Sequence, residues 1–246
     1  MYRQTACPCC GTQPVFLPAY FSQFVIWRTT GIKPESNVAT SLSHCKHCDF
    51  YFSSERFDDN EIESLYQGYR NTQYNRMRQE CEPKYKGELY SLEYIKQRKD
   101  FINNLINKHT SNLTSILDFG GDDGTYIPDV AVRCVYDLSG VELKQGISRH
   151  HLNSDCTYDL VMNCQVLEHV PDIDKLINQL KNCTKEYLYI EVPAYRDPPA
   201  VDMVIGEHIN FFRESSLHAL LNKHTIKIID TAVDYELKVL AVLGKL

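Results

Sequence analysis

The 246-residue chain has no long apolar run, and without about eighteen consecutive apolar residues a bilayer-spanning helix is not expected. Its first residues, "MYRQTACPCC", lack the charged and apolar regions of a secretory signal, so a cytoplasmic protein without membrane insertion is expected. A block of lysine and arginine is also missing. Basic residues are spread along a chain of net charge −6, which argues against a nucleic-acid polyanion as the main partner. With 43% hydrophobic residues, the chain can bury one large core, or a medium core with a small satellite domain.

The ten cysteines are unevenly placed. Cys81, Cys134, Cys156, Cys164 and Cys183 stand singly, as small core residues do in a reducing compartment. Cys7, Cys9, Cys10, Cys45 and Cys48 crowd the start, in "CPCC" and "CKHC". Cys7 with Cys10, and Cys45 with Cys48, are C-x-x-C pairs, each able to present two thiolates to one ion from a tight turn. Two such turns complete a tetrahedral Zn2+ site with no open position, hence a structural one. Reduced thiols without metal are the alternative; Cys9 is left over, and His44 or His47 could substitute as a ligand. The aromatic and β-branched segments "PVFLPAYFSQFVIWRTTG" and "DFYFSS" suit the short strands of a zinc ribbon over 1–57. Acidic and basic residues balance up to Asp59, whereas a zinc module that reads nucleic acid is normally basic.

Residues 58–112 turn polar and helical in pattern. "DDNEIESLYQGY" offers an acidic start and "ELYSLEYIKQRKDFINNLINKH" repeats apolar residues near helical period, so a helical bridge is expected, broken by Pro83 and Gly87. From 113 to 246 strands alternate with helices, the pattern of a doubly wound, mostly parallel α/β sheet. "TSILDFGGDDGTYIPDV" reads as a strand ending at Asp118, a glycine turn and a helix; "RCVYDLSG" as a strand ending at Asp137. "YDLVMNCQVLEHVPDIDKLINQL" adds a buried strand, a loop and a helix from Asp172, and "KEYLYIEVPAY", "RESSLHALLNKH", "TIKIIDTAV" and "ELKVLAVLG" complete the set. Ligands of such sheets bind at the carboxyl ends of strands, where glycine admits close approach to backbone N–H groups.

"ILDFGGDDG", "VYDLSG" and "YDLVMNCQVLEHVPD" resemble the glycine-rich motif, ribose-binding acid and fourth strand of class I S-adenosylmethionine-dependent methyltransferases. With "YRNTQYNRMRQECEPKY", "GEHINFFRESSLHALL" and the four-cysteine module in front, the chain is similar to bacterial methyltransferases of sugars and surface polysaccharides. The resemblance implies a Rossmann-like methyltransferase domain over 113–246 that binds S-adenosylmethionine. It further implies that Asp118, Gly120, Gly121 and Gly124 shape the pocket for the methionine end, that Asp137 holds the ribose, and that Gln165 flanks the sulfonium. Helix or turn capping is the alternative for Asp118 and Asp137, and equally for Glu168 and His169.

The chain departs from the family at two places. Asp122 stands where a middle glycine is usual, bringing a charge near the expected cofactor carboxylate; Asp tolerates positive φ. The stretch between Asp137 and Asp159 is too short for a full helix and strand, so a trimmed sheet edge is expected, and Asp155 is only a guess for the adenine contact.

For a hydroxyl acceptor the protein must position the substrate and remove a proton. His208 is the candidate general base, with Glu207 to orient or tune it; shaping of the pocket is the alternative. Arg78 and Tyr74 are candidate substrate contacts, alongside Tyr69 and Asn75, with packing against a neighbouring domain as the alternative for the tyrosines. Relatives that methylate sugar carbon carry a tyrosine shortly before the Glu-His pair and a further C-terminal domain. Here Ile205 stands in that place and the sequence ends at Leu246, so O-methylation is expected, with N-methylation still open. RNA methylation and an inactive scaffold are the rival functions; "NCQV" after the fourth strand is not the Asn-Pro-Pro-aromatic loop of base N-methyltransferases.

Overall fold

The computed structural model describes residues 1–87, 90–151 and 156–246. The chain begins with β1 (Tyr2–Arg3), β2 (Val15–Phe21), α1 (Gln23–Thr30), β3 (Val38–Cys45), β4 (Phe50–Ser53) and β5 (Glu55–Arg56). Three helices follow: α2 (Asp59–Tyr66), α3 (Thr72–Cys81) and α4 (Leu92–His109). The remainder is β6 (Ser115–Phe119), β7 (Val132–Tyr136), β8 (Ser148–Arg149), β9 (Tyr158–Cys164), α5 (Ile173–Cys183), β10 (Thr184–Pro193), β11 (Met203–Ile205), β12 (Asn210–Phe211), α6 (Glu214–Lys223), β13 (Lys227–Asp234) and β14 (Val239–Lys245).

Side-chain oxygens start the helices where the sequence offers them. Asp58 and Glu61 form a reciprocal capping box on α2, while Asn71, Ser91 and Asp172 accept from the amides of Tyr74, Tyr94 and Lys175.

The larger sheet has seven strands in the order β13-β14-β10-β9-β6-β7-β8. Strands β8, β7, β6, β9 and β10 run parallel, and β14 is antiparallel to both β10 and β13. Successive side chains serve opposite faces, as a pleated strand requires. Ile116, Leu160 and Leu243 pack with Ile102, Leu105 and Ile106 of α4, whereas Leu117, Val161 and Val242 pack with the faces of α5 and α6. The chain winds outward from β6 to β8 and then returns to the other side of β6 as β9, so the order reverses between β6 and β9. The carboxyl ends of these two strands flank the crevice in which doubly wound sheets bind ligands.

The second sheet has five strands, β11-β2-β3-β4-β12, and its two outer members come from beyond residue 200. Val204 pairs with Tyr20 on one edge and Asn210 with Phe52 on the other. The segment between β10 and α6 thus leaves the large sheet and completes the N-terminal one. The knuckle cysteines share a hydrophobic core with α6, and Phe50 packs on Phe212 with ring centroids 4.6 Å apart.

No helix follows the glycine turn among the described residues, contrary to the sequence expectation. Pro128 lacks the N–H that a helix interior needs, and β7 begins four residues later at Val132. The trimmed edge is as expected: β8 has two residues, with no helix between it and β7.

Phe212→Ala would remove a ring that is 1% exposed between the two sheets. A loss of about 3–5 kcal/mol in unfolding free energy is expected, read as a lower urea midpoint at unchanged slope.

Candidate active site

The four cysteines of the two C-x-x-C pairs converge, with all donor sulfurs within 4.8 Å of one another. Cys7 and Cys48 are 3.6 Å apart at sulfur, and Cys10 and Cys45 3.4 Å. A tetrahedral ion with zinc–sulfur bonds of about 2.3 Å sets its sulfurs about 3.8 Å apart, and a disulfide needs about 2.05 Å. The geometry fits a zinc centre. Each knuckle closes on a left-handed residue, Gly11 at φ 78° and Asp49 at φ 56°, whose amides donate to the carbonyls of Cys7 and Cys45. Cys9 is fully buried beside this group, and burial holds its thiol well above its ordinary pKa. His44 is engaged with Asp49 at 2.9 Å and His47 is exposed; neither joins the four donors.

At the carboxyl end of β6, Asp118 is 1% exposed and its Oδ1 has no hydrogen-bond partner among the described residues. Burial pushes its carboxyl up to about 7, with Arg98 pulling the other way. The turn above it is a cradle that side chains would fill. A Cβ on Gly121 would stand 2.5 Å from the Asp118 carboxyl carbon, and one on Gly120 2.4 Å from a Val166 methyl. Asp122 takes φ 52°, so the turn keeps its path without the middle glycine. Its amide donates to Asp137 at 2.9 Å, and the Ser139 amide donates to the other Asp137 oxygen at 2.7 Å. An orphaned buried carboxylate oxygen beside a backbone cradle fits the cationic, methionine end of S-adenosylmethionine.

Gln165 follows β9 at φ 57°. Its Nε2 donates to Glu191 at 3.1 Å. Glu191, fully buried on β10, also accepts from Arg98 Nε at 2.9 Å and from the Tyr189 hydroxyl at 2.9 Å. This network fixes Gln165 at the rim of the crevice. The sequence signal for it is Arg98, which occupies the apolar face of α4 with Ile102, Leu105 and Ile106.

Glu207 and His208 lie on the short link between β11 and β12. Arg78 donates to Glu207 Oε2 at 2.7 Å, and burial pushes the Glu207 carboxyl up. His208 Nδ1 is 3.1 Å from the Tyr195 hydroxyl, and its ring stands edge-on to His169, 4.6 Å between centroids. His169 Nδ1 lies 2.8 Å from the Tyr66 hydroxyl and 3.2 Å from the Glu207 carbonyl. Burial, and then His208 nearby, holds His169 well below the usual imidazole pKa, as a neutral ring. Fully buried Glu168 brings its carboxylate within 4.8 Å of both imidazoles, a group that could also ligate a cation.

Two adjacent sites therefore take shape. Asp118, Gly120, Gly121, Gly124, Asp137 and Gln165 lie at or just past the carboxyl ends of β6, β7 and β9, while Arg78 of α3 meets Glu207, the chain neighbour of His208. Tyr74 stands apart: it is fully buried, edge-on to Phe24 and Tyr69, so packing accounts for it. The adenine guess, Asp155, lies outside the described residues. Sequence reasoning missed Tyr66, Arg70 and Tyr195. Arg70 approaches Asp122 at 3.5 Å and so joins the bridge to the glycine turn; nothing local in the sequence marks that contact.

A profile described as "Methyltransferase domain" matches residues 66–229, two thirds of the chain. The chain belongs to this family, and it is a methyl-transferring enzyme of the S-adenosylmethionine-dependent class with a Rossmann-like α/β fold. No curated protein matches its sequence. Among solved structures it is similar to magnesium protoporphyrin IX methyltransferase from Synechocystis PCC 6803 with bound S-adenosylmethionine: 14% identity over 77% of this chain and 97% of that one, TM-score 0.49. N-methyltransferase NodS from Bradyrhizobium japonicum WM9 is 12% identical over 64% of this chain and 98% of that one, TM-score 0.45. The 16S rRNA methylase ArmA is 17% identical over 76% and 96%, TM-score 0.44. Among the described residues no helix is long and apolar enough to cross a membrane.

Asp118 gives the free protein a defined pH response. Its proton is held in the folded chain where the unfolded chain, with a carboxyl near 4, has released it, so its contribution to stability is lost as pH rises from about 4 to about 7. Relative to the parent, Asp118→Asn is expected to gain about 1–3 kcal/mol between pH 5 and pH 8, measured by urea unfolding. An equal difference at both pH values would contradict the assignment.

Proposed function

We propose that the protein methylates a hydroxyl of a sugar or sugar-containing small molecule, with His208 as general base. The observation that carries this reading is the position of His208. The link between β11 and β12 holds it against the segments that follow β9 and β10, edge-on to His169 and with its Nδ1 beside the Tyr195 hydroxyl. In the productive tautomer Nδ1–H donates to the Tyr195 oxygen, leaving Nε2 to take the acceptor proton. Glu207, held by Arg78, orients the link and favours the imidazolium that results. The neutral His169 ring sits edge-on to His208 and restricts its rotation.

Bound S-adenosylmethionine supplies a methyl carbon already activated by its sulfonium, so the protein's work is positioning and proton removal. Asp118 and the cradle of Gly120, Gly121 and Gly124 would hold the methionine end, Asp137 the ribose hydroxyls, and Gln165 the sulfonium region. Arg78, reaching from α3, would meet the acceptor. The polar, arginine-bearing bridge and the mixed carboxylate and imidazole lining favour a hydroxylated acceptor, and the balanced charge of the N-terminal residues does not favour RNA.

In this reading residues 1–57 are a zinc ribbon, 58–112 a helical bridge and 113–246 the methyltransferase domain. Cys7, Cys10, Cys45 and Cys48 hold a structural Zn2+. The ribbon's sheet, completed by β11 and β12, is the platform for the His208 link.

Replacement of His208 by Asn or Ala is expected to lower kcat by about 10²–10⁴, with S-adenosylmethionine affinity within about threefold of the parent. Turnover is followed by mass spectrometry on a panel of sugar and nucleotide-sugar acceptors. Undiminished turnover in either variant removes His208 from the role of base.

A further inference from the structure

Glu168 and His169 lie between β9 and α5, and His208 between β11 and β12. One donor atom from each falls within 4.8 Å of the other two. A point within about 2.8 Å of all three therefore exists, and Zn2+ takes nitrogen and oxygen at about 2.0–2.2 Å, so each donor has only about 0.7 Å to close. His169 Nε2 and Glu168 Oε1 stand 3.8 Å apart. That is too long for a hydrogen bond, and only about 0.4 Å more than the nitrogen–oxygen edge of a tetrahedral zinc site.

The His169 ring is turned for ligation. Its Nδ1 lies 3.2 Å from the Glu207 carbonyl, which can only accept, so Nδ1 carries the proton and Nε2 presents its lone pair to the carboxylate. Two electron-rich atoms so placed repel each other, and a cation between them turns the repulsion into attraction. A metal-bound histidine characteristically donates its second ring nitrogen to such a carbonyl. His208 is anchored in a similar way, with Nδ1 3.1 Å from the Tyr195 hydroxyl. The two ligand-bearing segments are also fixed to each other. The amides of Ile209 and Asn210 donate to the Glu168 carbonyl, and Asn210 Nδ2 donates to the carbonyls of Leu167 at 2.9 Å and Val170 at 2.8 Å. A site assembled in advance costs little to order when the ion arrives. Glu168 is 0% exposed while both imidazoles are partly exposed, which gives an ion a way in.

Two imidazoles and one carboxylate suit Zn2+, Co2+ or Ni2+, whereas Mg2+ and Ca2+ favour sets of oxygens. We infer that Glu168, His169 and His208 form a second metal site, separate from the cysteine knot, for a divalent cation of the zinc class, and that this cation competes with the acceptor's proton for His208. A neutral imidazole has one basic lone pair, so a ring bound to metal cannot serve as base. Binding is independent of the proposed reaction, while inhibition by the cation rests on His208 being its base.

Co2+ is titrated at pH 7 into the parent chain loaded with one equivalent of Zn2+, and uptake is read by calorimetry and visible absorption. One further ion per chain is expected, with d–d bands and no sulfur-to-cobalt charge-transfer band, which would report the cysteines instead. No uptake by the folded protein, or uptake carrying the sulfur band alone, overturns the site. Glu168→Gln, His169→Ala and His208→Asn should each weaken binding at least about tenfold, and Mg2+ should not displace Co2+. Parent-like affinity in any folded member of the three overturns the assignment, and three separate changes keep the test decisive if one fails to fold. Turnover of an acceptor from the panel above is then followed at rising Zn2+. Loss in step with occupancy is expected, with S-adenosylmethionine affinity unchanged. If the saturated parent turns over undiminished while His208→Asn is inactive, the competition is overturned. If His208→Asn is fully active as well, the base reading fails and the competition with it, while the metal site stands.

Discussion

The return of residues 203–211 to the N-terminal sheet is the contact on which the rest of the molecule depends. Two edge pairings, β11 with β2 and β12 with β4, place the Glu207–His208 link between them. The amides of Ile209 and Asn210 both donate to the Glu168 carbonyl, at 2.9 and 3.0 Å, which stitches that link to the loop after β9. Backbone hydrogen bonds of this kind are costly to leave unmade once buried. The first sixty residues and the methyltransferase core are therefore one structure at the site, although they are far apart in sequence.

Charge is distributed around the crevice in a way that follows from this construction. On the cofactor side, buried Arg98 and Glu191 pair with each other and orient Gln165, while Asp118, packed under Gly121, has one oxygen without a hydrogen-bond partner among the described residues. Across the cleft, Arg78 pairs with Glu207, and Arg70 reaches Asp122 on the glycine turn. Breaking a buried pair by removing one partner is far more damaging than its net contribution implies, because the survivor keeps its desolvation cost. These groups hold geometry more than they add stability.

Much of the large sheet was legible in the sequence because its strands and helices obey local rules. Buried runs such as "YDLVMNC" and side-chain caps such as Asp172 mark their own elements, and the short stretch between Asp137 and Asp159 announces the trimmed edge. The helix expected after Gly124 failed because Pro128 outweighs the motif's usual sequel. Paired C-x-x-C turns identify their four cysteines with no knowledge of the fold. What sequence could not show are contacts between distant segments: Arg70 with Asp122, Tyr66 with His169, Arg56 with Asn210. Tyr74 illustrates the reverse: helical spacing leaves an aromatic open between substrate contact and packing, and it is buried against Phe24.

Membership of the methyltransferase family and the cradle at the β6–β9 reversal together define the central claim, that the crevice is an S-adenosylmethionine site despite Asp122. Isothermal titration of the folded, zinc-loaded protein with S-adenosylmethionine tests it most directly. The account predicts saturable binding at one site per chain, abolished or weakened by at least about tenfold in Gly121→Ala, whose Cβ would collide with the Asp118 carboxyl. Absence of heat and of competition by S-adenosylhomocysteine, in protein shown to be folded, would contradict it.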